Sequence, residues 1–185
     1  NNRFHFGVGV SPWYEDFLAT GERWEKRGKR MDEQIDILKG LMNGEYFSYK
    51  GEFYDIPELK LCPAPTKPVP ILIGGHSKPA LRRAARVGDG WISAGLSLEE
   101  TKSLIDQINS FRADFGTMNH PNYQFQVMGE AAYSTDGIKQ LEDLGATEVI
   151  VAFRNTYEGG ADERTLEGMI GEINWYAEEV IHKTK

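Results

Sequence analysis

The amino-acid sequence predicts an α/β fold, a parallel β-sheet covered by helices. Short, wholly apolar runs recur along the chain, among them Pro70-Ile71-Leu72-Ile73 and Val149-Ile150-Val151. Such runs, without polar alternation, mark strands buried on both faces. Segments of helical period stand between them, and that strand–helix alternation is the pattern of a helix-covered parallel sheet. Helix stop and start signals fall at the seams: Gly44, Gly88 and Gly145 as stops, and Ser97 with Glu100 as a capping box.

Taken in order, Phe4 to Val10 reads as a short buried strand, broken by Ser11-Pro12. A helix follows over about Glu22 to Asn43, because Trp24, Met31, Ile35, Leu38 and Met42 share one face. Tyr46 to Ile56 reads as a hairpin turning at Lys50-Gly51. The stretch from Pro57 to Pro70 also holds Pro63, Pro65 and Pro68, so it is expected as a connector. A strand over 70–74 then leads through Gly74-Gly75-His76-Ser77 into a short helix marked by Leu81, Ala84 and Ala85. Gly90 to Ser93 is the next strand. The capping box opens a helix with Leu104, Ile105, Ile108, Phe111 and Phe115 on one face. Tyr123 to Ala132 is expected as a strand, Ser134 to Leu144 as a helix, and Glu148 to Phe153 as the last strand. Asp162 is expected to cap a final helix whose apolar face is Leu166, Met169, Ile170, Ile173, Ala177, Val180 and Ile181.

That makes five strands, near 4–10, 70–74, 90–93, 123–132 and 148–153. Either an open doubly wound sheet or a run of units from an eight-stranded barrel accommodates them. A complete barrel needs about 250 residues, and this chain has 185. It begins at Asn1, without Met or a signal-peptide pattern, and enters an apolar segment almost at once. The expectation is that earlier units precede it. Composition narrows the function. The net charge of -7 argues against a general nucleic-acid or anionic-membrane binder. No run approaches the roughly 20 apolar residues of a membrane helix. Cys62 is alone, so an internal disulfide is ruled out and no zinc site is expected; the cytoplasm is the expected compartment.

The strongest local signal is Gly74-Gly75-His76-Ser77-Lys78-Pro79, between a strand and a helix. Two glycines let a ligand approach the backbone, and the helix start offers N–H groups and a dipole to a phosphate. Ser77 can donate a hydroxyl to it; alternatively Ser77 is only the N-cap of a plain turn. Gly7-Val8-Gly9, with Ser11 and Trp13 after it, leaves room for a flat ring at a strand's carboxyl end, or else for close helix packing. Glu15 and Asp16 are candidate acids or bases, or the solvated first turn of a helix. His5, His76, His120 and His182 show no metal-ligand spacing, and no metal site is expected.

The run Arg3-Phe4-His5-Phe6-Gly7-Val8-Gly9-Val10-Ser11-Pro12-Trp13-Tyr14-Glu15-Asp16-Phe17 resembles the fourth strand and following loop of the bacterial luciferase-like monooxygenase superfamily. Further pieces match in order: Gly28 to Glu33, Gly51-Glu52-Phe53-Tyr54, Pro63-Ala64-Pro65, Pro70 to Ser77 and Leu81 to Trp91. Together they are similar to the branch that uses the deazaflavin coenzyme F420. The resemblance implies a (β/α)8 TIM barrel, here incomplete: the chain supplies strands four to eight as one partial domain over 1–185, with an insertion at about 44–69 and the first three strands before Asn1. The insertion often borders the substrate entrance. The missing strands carry part of the flavin pocket and often a catalytic histidine.

By resemblance, Gly74, Gly75, His76 and Ser77 hold the coenzyme phosphate. Gly7, Val8 and Gly9 lie beside the cofactor, and Ala94 and Gly95 near its tail. Ser11 and Trp13 belong to the substrate side. Glu15 matches an acidic position without an assigned role, and the catalytic residues stay unassigned. The implied activity is hydride transfer between coenzyme F420 and a small organic substrate. The alternative is an FMN-dependent monooxygenase supplied by a flavin reductase. A reading from another class is a non-catalytic barrel fragment whose open strand edges make it less stable or self-associating. Enzymes of this superfamily are often homodimers.

Overall fold

The computed structural model describes residues 3–154 and 160–184. Five parallel strands form one sheet: β1 (Phe6–Val8), β4 (Ile71–Gly74), β5 (Gly90–Ile92), β6 (Gln124–Met128) and β7 (Glu148–Ile150), in that spatial order. A separate antiparallel ribbon pairs β2 (Phe47–Lys50) with β3 (Asp55–Leu59). The helices are α1 (Tyr14–Thr20), α2 (Arg27–Met42), α3 (Lys78–Val87), α4 (Leu98–Phe115), α5 (Thr135–Asp143) and α6 (Leu166–Glu179). The five predicted strands are the five of this sheet. It does not close on itself; β1 and β7 are its edges among the described residues.

Register explains how each apolar run divides between two faces. Ile73 pairs with Trp91 and Trp91 with Phe125, so these side chains stand on one face. They pack, with Ile71, against Met31 and Ile35 of α2, Leu81, Ala84 and Ala85 of α3, and Ile105 and Ile108 of α4. Full burial of a side chain of this size contributes about 1.5–3 kcal/mol. The opposite face carries Gly7, Leu72, Gly90 and Gln124, which lie in register across four strands. Glycine is required at position 90 in that row, where the obstacle is backbone, whereas at Gly7 it is the end of a flexible side chain. A Cβ on Gly90 would stand 2.5 Å from the Gln124 carbonyl oxygen, and one on Gly7 would stand 2.9 Å from Ile92 Cδ1.

Buried polar contacts join the layers. Arg83 of α3 donates from Nε to Asp32 of α2 at 2.7 Å, and from its terminal nitrogen to Asp32 at 3.2 Å and the Gly28 carbonyl at 2.8 Å. Glu33, next along α2, turns the other way. Its carboxylate accepts the backbone N–H groups of Glu52 (2.6 Å), Phe53 (3.0 Å) and Tyr54 (3.1 Å), the turn of the β2–β3 ribbon. A Cβ on Gly51 would collide with that carboxylate at 2.3 Å.

Several expected boundaries are corrected. The α2 helix starts at Arg27 rather than Glu22, because Lys26 adopts a left-handed φ of 56° and Arg27 stacks on Trp24 at 3.5 Å. The short helix α1 lies ahead of it, with Glu15 and Asp16 in its first turn, the second of the two readings given for that pair. Proline does not keep Pro57 to Leu59 out of the ribbon. Pro57 sits at the irregularity between the pairs Tyr49–Ile56 and Phe47–Leu59, where a missing N–H is tolerated. The strand expected to reach Ala132 stops at Met128. Extended Gly129 passes so close to Leu96 that a Cβ would meet its carbonyl oxygen at 2.3 Å, and Glu130–Tyr133 turns as a 3-10 helix. Asp162 does not cap α6. Its carboxylate is engaged by Arg164 at 2.8 Å and Arg154 at 3.6 Å, and Thr165 is the cap, accepting from the Gly168 N–H at 3.1 Å. The α6 face is anchored by Tyr176 and Val180, whereas Leu166, Ile170, Ile173 and Ile181 are exposed.

Candidate functional site

The carboxyl ends of β1, β4 and β5 lie side by side, and the backbone there is bare. A Cβ on Gly9 would come within 3.9 Å of the Gly74 backbone, and one on Gly74 within 3.5 Å of the Val8 carbonyl oxygen. Both distances are ordinary contact, so these glycines leave a shallow open floor rather than filling a collision. Gly75 is different: its φ of 109° lies where L side chains are strained. That residue swings the chain from strand into α3.

Ser77 occupies the N-cap position of α3, in extended conformation, yet its side chain makes no capping bond. Lys78 and Ala80 have N–H groups with no carbonyl four residues back inside the helix, and Pro79 between them has none to offer. The first turn therefore presents donors, a hydroxyl uncommitted to the cap and the positive end of the helix dipole. Donors arranged in this way can receive an anionic oxygen.

Trp91, fully buried, donates its indole N–H to the Gly75 carbonyl at 2.9 Å. The His76 ring lies 6.0 Å from the Trp91 ring, and its Nε2 accepts the Ala94 N–H at 3.2 Å. Burial pushes the imidazole pKa below its ordinary 6.5, against a smaller pull upward from Glu100. Gly95 follows Ala94 with a left-handed φ of 60°. Thus Val8, Gly9, Gly74, Gly75, His76, Ser77, Ala94 and Gly95 come to one end of the sheet, as expected from their positions in sequence.

A second feature lies beside β1. A cleft of about 760 Å³ runs between β1, α1, α2 and the ribbon, lined by Gly7, Val8, Gly9, Ser11, Asp16 and Tyr54 among others. The Gly74 to Ser77 loop and Ala94-Gly95 are not part of its lining. Ser11 is engaged locally: its Oγ donates to Asp16 at 2.5 Å and accepts the Trp13 N–H at 3.0 Å. Trp13 is half-exposed ahead of α1. Glu15 stands exposed in the first turn of α1 and does not line the cleft; its neighbour Asp16 does. Asp16 was named beside Glu15 in sequence, and the two are separated by the hydrogen bond that Asp16 accepts from Ser11, five residues before it. Among the described residues no group of three or more His, Cys, Asp or Glu side chains is placed to hold a metal ion. No described helix is long and apolar enough to cross a membrane.

Comparison with known proteins decides the family. The family model described as luciferase-like monooxygenase matches residues 1–136. This chain belongs to the luciferase-like monooxygenase family. An uncharacterized protein of Mycobacterium tuberculosis is 46% identical over 182 residues, covering 98% of this chain and 62% of that protein. The chain thus spans less than two thirds of the length of that relative. An FMNH2-dependent dimethylsulfone monooxygenase of Pseudomonas putida is 37% identical over 113 residues, 58% of this chain and 31% of that protein. An F420-dependent glucose-6-phosphate dehydrogenase of Amycolatopsis mediterranei is 28% identical over 103 residues, 54% of this chain and 31% of that protein. Among solved structures, the coenzyme F420 dependent tetrahydromethanopterin reductase of Methanopyrus kandleri superposes with a TM-score of 0.70 at 12% identity, over 98% of this chain and 74% of that one. That likeness shows the fold. The open five-stranded sheet corresponds to part of a luciferase-like TIM barrel. The family's enzymes are oxidoreductases and monooxygenases that act on small molecules with a flavin or deazaflavin.

Proposed function

We propose that this chain holds the cofactor-tail side of an oxidoreductase that uses coenzyme F420 to exchange hydride with a small organic substrate. The observation that carries the reading is the cradle at the carboxyl ends of β1, β4 and β5. Gly9 and Gly74 leave bare floor, Gly75 turns the chain, and α3 offers N–H groups and an uncapped Ser77 hydroxyl. These residues fit a phosphate tail leading to a flat ring. Lys78 and Ala80 would donate backbone N–H groups and Ser77 its hydroxyl to the phosphate. Gly7, Val8 and Gly9 would let the ring lie against β1, and Ala94 and Gly95 would border the tail. The loop from Ser11 to Trp13 would face the substrate side. When bound, the deazaflavin supplies the hydride-carrying carbon; the protein's share is to bind, orient and exclude water. The choice of F420 is supported by the matching motifs and by the F420-dependent relative.

The FMN-dependent monooxygenase reading is favoured by one observation, the 37% identity to an FMNH2-dependent enzyme over 113 residues. A phosphate cradle serves either cofactor. Fluorescence titration of this chain with coenzyme F420 and with FMN, side by side, tests the proposal. Saturable binding of F420 with weaker or absent FMN binding is expected. Preference for FMN moves the assignment to the monooxygenase, and binding of neither removes the cradle as a site in this chain.

A further inference from the structure

The loop that bears the cradle carries a histidine for which a phosphate ligand is the obvious role. The geometry gives His76 a different one. Its Nε2 accepts the Ala94 N–H at 3.2 Å, from the segment that follows β5. A ring nitrogen that accepts a hydrogen bond carries no proton, so the neutral ring must hold its proton on Nδ1. One residue earlier, the Gly75 carbonyl accepts the Trp91 indole N–H at 2.9 Å. Both bonds run the same way: donors on β5 and its carboxyl end, acceptors on the loop after β4. The Trp91 bond ties the base of that loop and the His76 bond ties its far side. Between them they fix the separation of the two loops that flank the cradle.

We propose that His76 is a positioning residue, a clasp that in its neutral Nδ1–H form holds the loop after β4 to Ala94 and thereby sets the width of the cradle. The clasp itself stands on the two hydrogen bonds; its effect on cofactor binding rests on the function proposed above. An imidazolium has two donors and no acceptor, so protonation opens the clasp. The charged group facing the ring is Glu100 of α4, which is itself held by the Ser97 backbone N–H at 2.9 Å and the Ser97 hydroxyl at 2.7 Å. His76 is exposed at the surface, but the partial desolvation of its ring outweighs the attraction of Glu100 for an imidazolium, so the closed form is favoured at neutral pH and is lost as pH falls below the ordinary imidazole range. In reach, glutamine places an amide oxygen near the position of Nε2 and cannot titrate. Alanine leaves the Ala94 N–H without its acceptor.

The test uses NMR on this chain together with the His76→Gln and His76→Ala variants. Imidazole nitrogen shifts report the tautomer, and the protection factor of the Ala94 amide, corrected for intrinsic exchange, reports the clasp between pH 5 and pH 8. Expected are an Nδ1–H ring at neutral pH, Ala94 protection that collapses on acidification in the wild type, protection without pH dependence in His76→Gln, and none in His76→Ala. F420 affinity should follow the same pattern, falling roughly fivefold when the clasp opens, the worth of one ordinary hydrogen bond. An Nε2–H ring, or equal Ala94 protection in the wild type and His76→Ala, overturns the clasp. A clasp that opens with no change in F420 affinity overturns its positioning role. Absence of F420 binding with the exchange pattern intact assigns the failure to the proposed function and leaves the clasp standing.

Discussion

Replacing Arg83 by methionine should cost this fold about 2–3 kcal/mol. Arg83 is 7% exposed and Asp32, its partner, 32% exposed. Removing one member of a buried pair typically costs about 3–5 kcal/mol, because the other charge is left without compensation. Two features reduce the figure here. Asp32 keeps a third of its solvent contact, and Arg86 remains 3.3 Å from the same carboxylate. Methionine also returns part of the loss by filling the volume. For a chain of this size each kcal/mol shifts the melting temperature by about 2–4 °C, so a fall of roughly 4–12 °C is expected. Urea denaturation monitored by tryptophan fluorescence gives the free energy, and the cycle with Asp32→Asn isolates the pair. Arg83→Lys should recover little, since a single ammonium cannot engage both carboxylate oxygens and the Gly28 carbonyl as the guanidinium does. A loss below about 0.5 kcal/mol, or an equal loss from Arg83→Met when Asp32 is already asparagine, would refute the argument that the pair pins α2 to α3.

Other outcomes follow from the same geometry. Gly9→Ala should leave stability within about 0.5 kcal/mol, because the new Cβ stands 3.9 Å from Gly74, while F420 affinity drops at least about tenfold as the floor is blocked; calorimetric titration beside a thermal melt separates the two. Ser77→Ala should likewise spare the melt, its side chain making no capping bond, and weaken cofactor binding by roughly threefold to tenfold. Glu33→Ala should speed amide exchange of Glu52, Phe53 and Tyr54 by about an order of magnitude or more, with the exchange of β4 and β5 unchanged. Hydrogen bonds from Arg164 hold the Asp162 carboxyl well below its ordinary value of 3.8. A depressed carboxyl stabilises the fold above its unfolded value and loses that contribution as pH falls through the folded one. The melting temperature of Asp162→Asn should therefore approach that of the wild type as pH drops from 5 to below 3, and a constant gap would contradict the linkage.

The sheet was legible because its signal is local. Ile71-Leu72-Ile73 and the helices around it declare burial and period without reference to distant residues, and the register follows once neighbours are parallel. The glycines at the ends of β1 and β4 were legible as bare backbone for a related reason, while a plain turn or close helix packing used the same residues equally well in sequence. The misreadings share the opposite property. Asp162 looks like a cap until Arg154 and Arg164 take its carboxylate. Lys26 stops a helix through its backbone angle, which its side chain does not announce. Asp32 and Glu33 carry no sign in sequence that one faces α3 and the other the ribbon, since their partners lie 51 and about 20 residues away. His76 stood in the right loop, but its partner is a backbone N–H 18 residues on, and sequence names side chains rather than the amides they meet.

The joint between α2 and the β2–β3 ribbon bears on how such a protein diversifies. Two glycines, Gly40 under the Phe47 ring and Gly51 against the Glu33 carboxylate, leave room for the ribbon to seat, and one carboxylate grips its turn through main-chain atoms alone. A grip on main chain is indifferent to the side chains it carries. The ribbon can accordingly change residues at its exposed positions, such as Ser48, Lys50 and Glu58, while α2 and the sheet keep their own packing. The ribbon meets the cleft through Tyr54 and Ile56 instead, so a library confined to those exposed positions would vary the ribbon's outer surface and leave both the cleft lining and the packing of α2 as they are.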